Sequence, residues 1–145
     1  MEFSKEINAV FDSEHIKALL NLKYTANFLN ALGNKELEEY QISTAQYNIL
    51  RILRGAKKAI TMKLVKERMI EKSPNTTRLT DKLCEKGLIK RVRCDKDRRA
   101  VYVSITDNGL QLLEQITFEL TPKQMRNLTM DEALQLNKIL DKIRT

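Results

Sequence analysis

A helix with marked ends, followed at once by a β-hairpin, occupies residues 73–105 and restricts the fold more than any other feature. Ser73-Pro74 is the start signal. Serine is a strong N-cap, and proline fits the first helical position, where its missing N–H would be unpaired anyway. The pattern predicts a helix through Leu79 and Leu83 to about Lys86, with Gly87 just past its C-cap. Residues 88–93 read as a strand. Residues 100–105 alternate, with Val101, Val103 and Ile105 on one face. The six residues between, from Cys94 to Arg99, are charged and hairpin-like.

The elements before this unit are helical. Residues 3–32 form one helix in pattern, with Ile7, Val10, Phe11, Leu19, Leu22, Phe28, Leu29 and Leu32 at helical spacings and Gly33-Asn34 as its stop. Residues 34–42 are polar and acidic and read as a connection. Ser43-Thr44-Ala45-Gln46 is a capping box, and the helix it opens stops near Gly55. A short strand-like stub at Ala59-Ile60 precedes a helix capped by Thr61, with Leu64, Val65 and Met69 inward. After the hairpin, Thr106 caps a helix with Leu110, Leu113, Ile116 and Leu120 along one side. Pro122 interrupts or ends it. Thr129 to Glu132 is a second capping box, and Leu136, Ile139, Leu140 and Ile143 form the stripe of the last helix.

Two helices, 61–71 and 73–86, are thus separated by a short link centred near Lys72, which is helix-turn-helix spacing. The hairpin that follows makes it a winged variant. Charge agrees independently. The chain of 145 residues carries a net +7, but residues 51–100 hold 17 basic and 6 acidic side chains, a net +11. The flanks carry −3 over 1–50 and −1 over 101–145. Like charges repel, so this sorting reads as a surface for a polyanion, most simply nucleic acid.

Other functions lose support on the same residues. Cys84 and Cys94 make neither a disulfide framework nor a zinc site, and His15 is the single histidine. No metal cluster, glycine-rich phosphate loop or Ser/His/Asp set points to an enzyme, and no cofactor is expected. No apolar run reaches the roughly 20 residues that span a membrane, and Met1 to Glu6 do not start a signal peptide. The expectation is a cytoplasmic protein with a mainly α fold and a small β-wing.

On a helical wheel, Thr76, Leu79, Thr80 and Leu83 face inward, while Pro74, Asn75, Thr77, Arg78 and Lys82 face out. An α-helix fits the major groove, where asparagine and arginine can read adenine and guanine edges bidentately. Asn75, Thr77, Arg78 and Lys82 are therefore candidate contacts of the recognition helix, together with Ser73 and Thr76 at its start. Asn75 and Thr77 have ordinary helix-start chemistry as an alternative. Arg91, Arg93, Lys96, Asp97, Arg98 and Arg99 are the wing's candidates. For Lys90 and Arg93, a solvated, charge-protected strand edge is the alternative.

Three stretches resemble the MarR family of bacterial transcription regulators: Ser73 to Leu83 with Glu85-Lys86-Gly87-Leu88-Ile89, Asp95-Lys96-Asp97-Arg98-Arg99, and Ile105-Thr106-Asp107-Asn108-Gly109. The likeness runs from about Leu19 to the C-terminus. It implies a dimeric, sequence-specific DNA-binding repressor or other regulator acting on a pseudo-palindromic double-stranded operator. A winged lobe at 43–105 would sit beside a helical dimerisation lobe built from 1–33 and 106–145. It also implies that Arg99 enters the minor groove. Asp97, two residues earlier, could hold that guanidinium in place, and Arg98 would meet a phosphate. The dimer candidates are Ile7, Val10, Phe11, Leu19, Phe28, Leu136, Ile139 and Ile143, with an intrachain helical core as the alternative. Family members bind a small aromatic or anionic effector between the lobes; Tyr24, Phe28, Tyr47 and Met62 are its candidates here, against a plain core role. The family's peroxide-sensing branch uses a cysteine near the start of the chain, and none precedes Cys84. Cys84 reads as a small buried side chain, and Cys94 as a thiol beside Arg91 and Arg93. An architectural or RNA-binding basic protein with little sequence choice is the competing class.

Overall fold

The computed structural model describes residues 2–72, 74–93, 96, 99–116 and 122–145. Its helices are α1 (Phe3–Glu6), α2 (Glu14–Leu37), α3 (Thr44–Ala56), α4 (Met62–Arg68), α5 (Thr76–Glu85), α6 (Asp107–Gln115) and α7 (Met130–Ile143). Two 3-10 turns, Glu38–Tyr40 and Lys123–Asn127, precede α3 and α7. Strands β1 (Ile60–Thr61), β2 (Ile89–Arg93) and β3 (Val101–Ile105) form an antiparallel sheet in the order β1-β3-β2. The hairpin register pairs Ile89 with Ile105 and Arg93 with Val101. The fold is mainly α with a small β-wing.

The caps predicted at Ser43, Thr61, Thr106 and Thr129 form as hydrogen bonds. Ser43 accepts from the Gln46 amide at 3.1 Å, and the Gln46 side chain accepts from the Ser43 amide at 3.0 Å. Thr61 accepts from Leu64 at 3.2 Å, and Thr129 from Glu132 at 3.2 Å. α3 is the centre of the core, with Ile49, Leu50 and Leu53 buried against Leu37, Val65, Leu83 and Val103.

The N-terminal helix differs from expectation at both ends. It is broken at residues 7–13, where Asn8 adopts a left-handed φ of 50° and Ser13 caps α2 by accepting from the His15 amide at 3.1 Å. The Phe3 ring stacks on Phe11 at 5.5 Å, which folds α1 back alongside. The helix does not stop at Gly33, which is buried within it. It runs to Leu37, whose fully buried side chain anchors another turn, and the chain leaves through Gln41 at φ 58°. Residues expected to be a connection are therefore mostly helical.

The link between α4 and α5 is also longer than the pattern suggests. α4 ends at Arg68 because Met69 turns extended (φ −68°, ψ 135°) and sends its side chain into the core at 3% exposure. The next amide, Ile70, donates to Asn48 Oδ1 on α3 at 3.1 Å instead of continuing the helix. α5 opens at Thr76, two residues after the predicted first position, with Asn75 non-helical at φ −90°, ψ 10°. Ser73 lies outside the described residues. α6 ends at Gln115, short of Leu120, which also lies outside them.

Candidate nucleic-acid interface

The recognition helix α5 is set by its buried face. Thr76 and Thr80 are 1% exposed and Leu83 fully buried, with Leu79 half-buried. Buried hydroxyls need partners. Thr80 Oγ1 donates to the Thr76 carbonyl at 2.8 Å, and Thr76 Oγ1 to Met69 Sδ at 3.7 Å. Gln46 Nε2 on α3 donates to the Leu79 carbonyl at 3.4 Å. These bonds fix the helix roll, and Pro74, Asn75, Thr77, Arg78 and Lys82 are left exposed as expected. Thr76 is the correction. As the first helical residue it lies on the inner stripe, so its side chain holds the helix down and offers nothing to a groove.

The helix exit and the wing share one junction. Gly87 has φ 70°, its amide donates to the Cys84 carbonyl at 2.9 Å, and the Leu88 amide to the Leu83 carbonyl at 3.0 Å. This is a Schellman closure, which a glycine at the left-handed position makes without strain. Thr106 Oγ1 donates to the Gly87 carbonyl at 2.6 Å, and the Thr106 amide to the Leu88 carbonyl at 3.0 Å. The same hydroxyl accepts from the Gly109 amide at 3.1 Å, capping α6. The Thr-x-x-Gly motif therefore ties recognition helix, wing and α6 together at one point.

On the wing, Lys90, Arg91, Arg93, Lys96 and Arg99 are exposed. Asp97, Arg98 and Cys94 lie outside the described residues, as does the proposed Asp97–Arg99 pairing. Arg91 is engaged: its guanidinium donates to Asp81 Oδ1 on α5, with both side chains about half exposed. Sequence reasoning left Asp81 unassigned. Its signal was a carboxylate inside a segment of net +11. Cys84, half-buried behind this face, has its thiol pushed above the usual range by burial and then by Glu85.

The SarA/Rot family of transcriptional regulators matches residues 31–116, more than half of the chain. The chain belongs to this MarR-like family. Among its relatives, PecS of Dickeya dadantii is 31% identical over 74% of this chain and 66% of its own length. MarR of Escherichia coli, the multiple antibiotic resistance protein, is 30% identical over 77% of this chain and 80% of its own. A cysteine-to-serine mutant of Escherichia coli MarR, crystallised with operator DNA, superposes with a TM-score of 0.71 at 26% identity, covering 99% of each chain.

The remaining candidates of this MarR-family chain are distributed unevenly. Ile7, Val10, Leu19, Phe28, Leu136, Ile139 and Ile143 are all exposed within the single chain, and no residue of α7 is buried. The intrachain helical core expected as the alternative is absent from α7. Phe11 is half-buried under Phe3. The effector candidates are scattered. Tyr24 and Phe28 are 43% and 47% exposed on α2, with Tyr24 tilted against Phe3 at 5.5 Å. Tyr47 on α3 lies under the Arg51 guanidinium at 5.8 Å, a residue the sequence reading missed, and Met62 packs on the core. An open depression between α2 and α3 is lined by Asn34, Lys35, Glu38, Gln41, Ile42, Ser43 and Gln46, none of them an effector candidate. Among the described residues, no group of His, Cys, Asp and Glu could hold a metal ion, and no helix is long and apolar enough to cross a membrane.

Proposed function

We propose that this transcription regulator works as a two-fold dimer on pseudo-palindromic double-stranded DNA, with α5 in the major groove and the wing in the minor groove. The observation that carries the reading is the outward face of α5. It presents Asn75, Thr77, Arg78 and Lys82 beside a basic strand, on the segment of net +11. Arg78 reads guanine and Asn75 adenine. Lys82, Lys90, Arg93 and Arg98 meet phosphates. Arg99 enters the narrow, strongly negative minor groove, oriented by Asp97. Residues 43–105 form the DNA lobe, and 1–33 with 106–145 the dimerisation lobe. Escherichia coli MarR, whose structure holds operator DNA, supports this use of the shared fold. The protein acts in the cytoplasm as a repressor without enzymatic activity. A small aromatic or anionic effector, taken beside Tyr47 and Arg51, shifts the spacing of the two α5 helices.

Selection from random duplexes should enrich a pseudo-palindrome with half-sites about one helical turn apart. Salt titration on that duplex and on a scrambled one separates specific recognition from architectural or RNA-type binding, because only the former keeps a large affinity ratio. Arg78→Ala should weaken the selected site by ~1–3 kcal/mol and the scrambled duplex much less. Equal losses on both would remove Arg78 from base reading.

The Asp81–Arg91 pair makes a separate prediction. While paired, Arg91 is held against α5 and fixes the wing strand to the recognition helix. Asp81→Asn frees the guanidinium for phosphate. Binding to scrambled DNA should tighten, and the slope of log affinity against log salt should steepen by about 1 per subunit. The ratio of specific to scrambled affinity should fall. An unchanged slope would mean that Arg91 contacts phosphate already or never.

A further inference from the structure

Between α2 and α7, two large apolar side chains stand exposed among the described residues: Val101 at 46% and Ile70 at 88%. Val101 closes the wing hairpin opposite Arg93, and strand pairing accounts for it. Ile70 has no such account. It lies in the link between α4 and α5, and its side chain contributes almost nothing to the core.

The main chain around it is nonetheless held on both sides. The Ile70 amide donates to Asn48 Oδ1 at 3.1 Å. The preceding Met69 is extended, and its sulfur accepts from Thr76 Oγ1 at 3.7 Å, under the first turn of α5. Side chains of an extended chain alternate sides. With Met69 directed under the first turn of α5, Ile70 is directed away from the core into solvent, one residue from that turn's anchor. Isoleucine is β-branched and stiff at χ1, so this side chain is pre-positioned on a pinned backbone. The major groove offers one apolar group on its base edges, the C5-methyl of thymine. A polar link residue would serve solubility better, and a phosphate contact would call for lysine or arginine.

We propose that Ile70 is a specificity residue that reads a thymine through its C5-methyl at the entry of α5 into the groove. This rests on the DNA-binding reading above. The test uses the full-length protein and its selected duplex, with each thymine replaced in turn by deoxyuridine, which removes the methyl alone. Wild-type protein should lose roughly four-fold per half-site at one thymine, the value of one buried methyl-sized group. Ile70→Ala should lose about as much on the parent duplex and be indifferent to uracil at that position, while keeping wild-type responses at every other thymine. Ile70→Val should stay near wild type. Unchanged melting temperatures for both variants exclude a folding defect, as expected for a side chain 88% exposed. If Ile70→Ala and uracil losses add at every position, no methyl is read and the proposal is overturned. If Ile70→Ala alters the sedimentation of the free protein and leaves DNA binding intact, Ile70 belongs to a protein contact and the proposal is again overturned. If selection enriches no sequence, the DNA-binding reading itself fails and takes this inference with it.

Discussion

Gly109→Ala is expected to destabilise the fold by about 4 kcal/mol, at the exceptional end for one methyl group. A Cβ at this position would fall well inside van der Waals contact distance of the Leu88 carbonyl oxygen and 2.6 Å from Ile105 Cγ1. Neither neighbour can give way cheaply. The Leu88 carbonyl accepts from the Thr106 amide, and Leu88 closes the Schellman turn of α5. Ile105 is paired with Ile89 across the wing. Relief would require α6 to lift off the point where recognition helix and wing are joined. Thermal unfolding should show a fall in melting temperature on the order of 10 °C, and DNA affinity should drop in the surviving folded fraction. Gly55→Ala is the matched control. Nothing lies within 4 Å of its added Cβ, and the residue is helical and exposed. That change should stabilise by roughly 0.5–1 kcal/mol. A Gly109→Ala protein melting within 2 °C of wild type would show that the junction is looser than its geometry indicates.

The junction also shows what the amino-acid sequence could and could not reveal. Local chemistry was legible. Ser43, Thr61, Thr106 and Thr129 each cap the helix they precede, because a cap is decided within four residues. Gly87 was legible as a helix stop because its φ of 70° is one that side chains avoid. The outward face of α5 followed from spacing alone. Features decided by distant packing were hidden. α2 passes Gly33 because the buried Leu37 lies one turn on, and no local signal outweighs that contact. The link before α5 lengthened because Met69 is drawn into the core and Asn48, from another helix, captures the next amide. Left-handed Asn8, Gln41 and Lys57 end or interrupt helices without being glycine. At the site, Arg91 looked like one more phosphate contact. Only the placement of β2 against α5 brings it to Asp81.

Ile139→Asp combined with Ile143→Asp is expected to leave the subunit folded, split the dimer and weaken operator binding by on the order of 100-fold or more. These side chains are 57% and 64% exposed, and α7 buries none of its residues within the chain. Charging them therefore removes nothing from the intrachain core, and circular dichroism should match wild type. Between subunits the effect reverses. Leu136, Ile139, Leu140 and Ile143 line one side of α7, while Leu19, Leu20 and Phe28 stand exposed on α2. Soluble monomers rarely leave contiguous apolar surface on this scale in water. Four carboxylates in a two-fold interface would be desolvated without partners, a penalty that dissociation avoids. Sedimentation should then report a monomer of 16.9 kDa. Two linked half-site contacts gain on the order of 100-fold or more over one from effective concentration alone. The monomer should lose at least that factor on the pseudo-palindrome and almost nothing on an isolated half-site. A double variant that still sediments as a dimer would place the interface elsewhere. One that is monomeric yet binds the palindrome at wild-type strength would show that each winged lobe acts alone.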